Sequence, residues 1–237
     1  RKFISGNKCE RGAGLQPHSD ELDIYAYKYA RIQESVYGTE GKKGRVGIPL
    51  ALGFYEQLPL WAGFFETCGF TVVMSEKSSR ELYFKGQHTV ASDTACYPAK
   101  LAHGHIESLL DAGVDFIFYP CESYNLDEHD STNHYNCPVV AYYPELLKAN
   151  NERLNDKNFI MPYLDLNDEK STVRALKKAL SAYRLSSSLI KKGLKEGFAR
   201  LQRYYDDIER KGNEILYLAS REDKPVIVLA GRPYHID

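Results

Sequence analysis

The sequence predicts an α/β fold, a parallel sheet flanked by helices, and three observations predict it. Short apolar runs such as "RVGIPLA", "FTVVMS" and "DFIFY" alternate with stretches of helical period from Arg45 onward. Glycine, serine and proline punctuate the joins. A stripe at spacings of three and four runs through Ile190, Leu194, Phe198, Leu201, Tyr205 and Ile208, which is one long helix. Strands alternating with helices make β–α–β units, the pattern of Rossmann-like and flavodoxin-like sheets.

In order, residues 1–43 read as a tail or linker that contains a short helix in "ELDIYAYKYARIQESVYG". "GTEGKKG" is a basic spacer, and the main lobe follows over 44–185. After the strand "RVGIPLA", Leu58, Ala62 and Phe65 share a helix face, and Gly69 supplies the stop. "FTVVMS" is the second strand. "SSRELYFKG" is a short helix, capped by serine and closed by Gly86. A helix over 98–112 leads into the strand "DFIFY" and a polar loop over 122–136. "PVVAYY" reads as a strand on its β-branched and aromatic content. "NFIMPYLDL" is a further strand, "DEKSTVRALKKALSAY" a helix, and 189–219 the long helix. "KPVIVLAGRPYHID" reads as a buried strand running into a loop. The long helix is expected to brace the fold, in preference to forming a coiled-coil seam over few heptads.

Composition limits the function. The 237 residues carry 31 basic and 32 acidic side chains, a net charge of −1, so neither nucleic acid nor an anionic membrane is expected as partner. No run reaches the ~18 apolar residues of a membrane span. "RKFISGNKCERG" has no apolar core of a secretory signal, and the missing initiator Met is expected of a processed or excised chain. The five cysteines, Cys9, Cys68, Cys96, Cys121 and Cys137, are expected as reduced thiols in the cytoplasm.

Chemistry is carried by some of those thiols. Cys96 stands just before a helix with Pro98 in its first turn, where free N–H groups favour an anionic sulfur. A small buried side chain is the equally weighted alternative. Cys121 follows "DFIFYP", at the carboxyl end of a strand, where open parallel sheets bind ligands. Both are expected to face one crevice. Cys137, placed before a strand, would lie at the opposite edge unless its loop bends back. Cys9 lies in the glycine-flanked "SGNKCERG". Cys68 is expected in the core. His103 and His105 are roughly 200° apart on a helix at ~100° per residue, so they cannot share one metal ion; one is expected at the crevice and the other in solvent. "GIPLALG" and "AGRPYH" are weak binding loops, and the acidic "ESYNLDEHDSTNH" lacks the spacing of a calcium loop.

The stretches "GIPLALGFYEQLPLWAGFFETCGFTVV", "SDTACYPAKLAHGHIESLLDAGVDFIFYPC" and "NCPVVAYYPELL" resemble the uncharacterised domain of CoA-enzyme activase proteins, relatives of the 2-hydroxyacyl-CoA dehydratases. "VLAGRPYHID" resembles the turn into that family's second lobe, so 186–237 would be the long helix and the first strand of a second lobe. The resemblance implies an iron–sulfur protein in ATP-driven, low-potential electron transfer. Its partner would be an actin-like ATPase activator, fused or separate. Cys96 and Cys121 match the first lobe's two ligands, a third is expected past Asp237, and Cys137 and Cys9 are the remaining candidates. A cluster is therefore expected to be absent or incomplete in this chain, and the isolated chain inactive. A docking domain that positions the ATPase lobes, and a small-molecule-binding Rossmann-like domain, remain open, as does a homodimer.

Overall fold

The computed structural model describes residues 22–128 and 132–236. Helix α1 (Ile24–Glu34) precedes the alternation. Then come β1 (Arg45–Ile48), α2 (Phe54–Cys68), β2 (Thr71–Met74), α3 (Arg80–Gly86), α4 (Tyr97–Asp111), β3 (Phe116–Phe118) and β4 (Cys121–Glu122). They are followed by α5 (Pro138–Asn150), β5 (Phe159–Ile160), β6 (Tyr163–Leu164), α6 (Glu169–Ala179), α7 (Ser187–Arg221) and a 3-10 turn at Pro233–Ile236.

Four strands pair in parallel in the order β2-β1-β3-β5. The chain moves from β1 outward to β2 and then crosses back to β3, so the topological switch lies between β1 and β3. Strands β4 and β6 prolong β3 and β5 without a change of register. Ile117 faces Phe159 and Phe118 faces Ile160; beyond the break Cys121 faces Tyr163 and Glu122 faces Leu164. Pro120 and Pro162 stand opposite each other in that register. Neither has an N–H to donate, so the ladder stops there. It resumes when the Cys121 amide donates to the Pro162 carbonyl at 2.8 Å.

Local signals place the helices as their residues dictate. Ser79 accepts from the Leu82 amide and starts α3. Gly69 ends α2 at φ 92, a left-handed backbone that suits glycine. The core lies between α2 and the sheet. Trp61 and Phe65 meet Phe118 with ring centroids 4.7 and 4.9 Å away, and Phe70 and Phe116 extend the cluster.

Helix α7 packs across the outer side of α2, as the brace expected from its stripe. Ile190, Leu194, Leu201 and Tyr204 are buried. A Cβ on Gly197 would stand 2.3 Å from the Leu60 carbonyl oxygen, so the two backbones touch there. Arg200, buried in the same seam, pairs with Glu66 at 2.6 Å and donates to the Ser35 carbonyl at 2.9 Å.

Two expectations are corrected. "PVVAYY" is not a strand but the first half of α5, capped by Cys137. The run within "KPVIVLAG" forms no strand among the described residues. Ile227 and Val228 are 82% and 85% exposed. Apolar, β-branched residues favour a strand only where a neighbouring strand is present to pair with, and this segment is instead tethered by the Tyr25 hydroxyl, which donates to the Leu229 carbonyl at 2.8 Å.

Candidate functional site at the carboxyl edge of the sheet

The parallel topology brings the carboxyl ends of the strands and the N-termini of α2, α4 and α5 to one edge. Cys96 is the N-cap of α4, with φ −63 and ψ 153, and Cys137 is the N-cap of α5, with φ −63 and ψ 152. Each is followed by a proline in the first helical turn. The opposite-edge placement expected for Cys137 is thereby corrected: because its segment is a helix and not a strand, it starts at the same edge as α4. The Cys137 sulfur accepts from the Val140 amide at 3.5 Å, while Cys96 is exposed. Tyr234 is within electrostatic reach of both. Its phenol is held above the ordinary range by burial first, with the negative charge of either thiolate adding to it.

Cys121 lies beyond the carboxyl end of β3, as expected, where it opens β4, but its thiol is closed off. It is 1% exposed, and burial, with Glu145 and Glu122 adding their charge, pushes it up to about 12. It therefore does not open into a shared crevice with Cys96 in this arrangement. Cys68 is core, 1% exposed, and burial raises it to about 12 as well. Cys9 lies outside the described residues. Among the described residues no three His, Cys, Asp or Glu side chains converge as a metal site. An iron–sulfur cubane takes four thiolates. Cys96 and Cys137 fit such a group in kind, as soft donors at positive helix ends, but the described residues do not assemble a full set.

Both histidines are buried, which corrects the expectation that one is solvated. They leave α4 in different directions, as the spacing requires. Thr89 donates its hydroxyl proton to the Gly86 carbonyl, so it accepts from His103 Nδ1 at 2.7 Å, and the Tyr143 hydroxyl donates to Nε2 at 3.0 Å. Burial, with His88 adding, lowers His103 to about 4, so the ring is neutral. His105 turns toward β2 and bonds Ser75 Oγ at 2.7 Å and Ser78 Oγ at 3.0 Å.

Sequence reasoning missed Glu122. It is buried beside Cys121, accepts from Gln57 Nε2 at 2.6 Å, and its Oε1 has no hydrogen-bond partner. Burial pushes its carboxyl up to about 8; the Gln57 bond opposes this and the Glu56 charge adds to it. The signal was a glutamate just beyond "FIFYPC", an apolar run whose strand is buried on both faces, where the chain is still inside the core.

Fold and site together define a parallel α/β domain with cysteine-capped helices at the carboxyl edge of its sheet. The chain belongs to the family described as the CoA enzyme activase uncharacterised domain, whose model matches residues 45–237, from the first residue of β1 onward. No curated protein and no solved structure matches it. Among the described residues no helix is long and apolar enough to cross a membrane.

Proposed function

We propose that this domain supplies part of an iron–sulfur site in a CoA-enzyme activase system related to the 2-hydroxyacyl-CoA dehydratases. The observation that carries this reading is the pair Cys96 and Cys137, two N-cap cysteines of matching backbone geometry that open helices at one edge of the sheet. Unpaired N–H groups and the dipole at each helix start stabilise negative sulfur. When bound, an iron–sulfur cluster supplies single electrons at low potential. Of the chain's own residues, Cys96 and Cys137 would hold it, with the Tyr234 phenol within electrostatic reach of both. Cys121 would join only if α5 shifts to release its thiol, and Cys9 is the other donor available in the sequence. The partner in this reading is an actin-like ATPase activator that drives the electron.

The test is anaerobic reconstitution with ferrous iron and sulfide. The expected product is brown, holds iron below a full cubane complement and bleaches in air. Replacing Cys96 and Cys137 together by serine removes the colour. A colourless product, or colour unchanged in the double variant, overturns the reading.

A second reading, a docking domain without redox chemistry, is favoured by one observation. Leu216 and Tyr217 on α7 and the run Val226–Leu229 expose apolar side chains. A chain that stays colourless yet binds the ATPase activator, and loses that binding on Ile227→Lys, would support it.

A further inference from the structure

Helix α5 buries Ala141, Tyr143, Pro144 and Leu147 and turns Tyr142, Glu145 and Leu146 to solvent. The outward positions of a surface helix are ordinarily polar, yet Tyr142 is 42% exposed and Leu146 stands exposed one turn on. Tyr163, at the outward position of β6, is 54% exposed, and its ring centroid lies 6.4 Å from that of Tyr142 at an interplanar angle of 45°. Beside them Tyr124 and Tyr135 stack with centroids 4.6 Å apart, and Tyr135 is 65% exposed. Ser123 joins the two pairs: it precedes Tyr124 in the chain, and its Oγ hydrogen-bonds the Tyr142 hydroxyl at 2.8 Å. One face therefore carries four tyrosines, an aromatic surface of the kind that marks contact sites.

The chain that builds this face is acidic. Residues 121–147 hold Glu122, Asp127, Glu128, Asp130 and Glu145 but no lysine or arginine, and residues 159–169 add Asp165, Asp168 and Glu169, again without a basic residue. Glu122 is buried, while Glu128 and Glu145 are exposed. The whole chain balances at −1, so the excess is local. Lys148, further along α5, is taken by Asp156, and Arg232 borders the Tyr135 end together with Glu128. At the Tyr142–Tyr163 pair the charge is Glu145, whose carboxylate accepts from the Tyr163 hydroxyl.

From these observations we infer that the face is a docking surface for an arginine-bearing segment of another polypeptide. A guanidinium is planar and weakly hydrated, so it stacks on a tyrosine ring while its N–H fork meets a carboxylate. Tyr142 and Tyr163 supply the rings and Glu145 the carboxylate. Both rings are already held by their hydroxyls, one on Ser123 and one on Glu145, so little side-chain freedom is lost on contact. An acidic segment would meet like charge, and a purely apolar one would desolvate Glu145 without a partner. The surface uses no cysteine, so it does not rest on the iron–sulfur reading.

The probe is a dye-labelled synthetic peptide of Arg-Gly repeats, titrated with the iron-free full chain and followed by fluorescence anisotropy. Saturable binding is expected, weakening as salt rises. A peptide of Lys-Gly repeats has the same charge without the planar group and should bind roughly three-fold more weakly. Replacing Tyr142 and Tyr163 together by serine should weaken the arginine peptide roughly five- to ten-fold, whereas phenylalanine at both positions keeps the rings and the binding. Glu145→Gln should weaken it roughly two- to three-fold. Glu209→Gln, at an exposed carboxylate on α7, should change nothing. Glu145→Gln leaves the shape of the surface intact, so the comparison with Glu209→Gln decides the matter even where the serine variant fails to fold. No saturable binding, equal affinity for the two peptides, full binding by a folded protein without the two rings, or equal losses in Glu145→Gln and Glu209→Gln would each overturn the inference. The iron reconstitution above is scored separately and stands or falls on its own cysteines.

Discussion

Four cysteines with the same thiol differ in the described structure because of what surrounds each sulfur. Cys96 is exposed at a helix start, Cys137 is partly covered, and Cys68 and Cys121 are sealed and held protonated by burial. In a Cys9→Ser background, a disulfide reagent should therefore modify Cys96 first and Cys137 more slowly. Cys68 and Cys121 should react only on unfolding. Single serine variants assign the phases, and fast reaction at Cys121 would show that α5 opens. Two other buried groups set opposed pH dependences. His103 titrates near 4 in the fold against 6.5 in the open chain, so the unfolded state binds more protons between those values and stability rises with pH there. Glu122 titrates near 8 against 4.5, so the folded state binds more protons between those values and stability falls as pH rises. The two oppose each other from 4.5 to 6.5, and of the two only Glu122 acts from 6.5 to 8, with a slope of up to about 1.4 kcal/mol per pH unit. Urea titrations across this range should show Glu122→Gln losing that upper decline and exceeding the parent in stability at pH 8. A parallel decline in both proteins would assign it to other groups. These residue-scale features were poorly legible in the sequence. The helical spacing gave the divergence of His103 and His105, but Thr89, Ser75 and Tyr143 reach them only through the tertiary packing of α4.

At the scale of elements, α7 offers two glycines with opposite demands. Gly197 meets the Leu60 carbonyl across the α2 seam, while Gly212 has nothing within 4 Å of where a Cβ would stand. Gly197→Ala must force the helices apart and is expected to cost more than ~2 kcal/mol, as overpacking does. Gly212→Ala adds a helix former in open space and should stabilise by about 0.5–1 kcal/mol. Chemical denaturation of the two variants decides the matter, and an unperturbed Gly197→Ala would mean that the α2–α7 seam is looser than its geometry. Most elements were legible because pattern and punctuation agreed: Ser79 before α3, Gly69 after α2, Pro98 opening α4. Helix α5 was not, since Val139, Val140, Tyr142 and Tyr143 carry strand preference while tertiary packing makes the helix. The discriminating signal was the Cys–Pro start, which repeats the cysteine-then-proline opening of α4.

For the whole molecule, the parallel sheet, its helices and the bracing role of α7 follow from the alternation and the long stripe alone, because each element must bury one face. The partners of the exposed run after α7 do not follow, since its apolar content states a need for cover without naming what supplies it. A division at 185/186 would separate the main lobe from the long helix. The core runs across that division. Leu60 and Phe64 of α2 lie against Gly197 and Gly193 of α7, and Arg200 neutralises Glu66, which is itself nearly inaccessible. Cutting there would expose that face of α2 and leave the Glu66 carboxylate without its ion-pair partner, each a recognised cause of large destabilisation. A fragment of residues 44–185 is therefore expected to show no cooperative melt by circular dichroism. A fragment of 22–221 keeps α1, the sheet and all of α7, and should melt as sharply as the full chain. Adding a synthetic peptide of 186–221 to the short fragment should restore the transition. A cooperative, high-temperature melt of 44–185 alone would place α7 outside the folding unit.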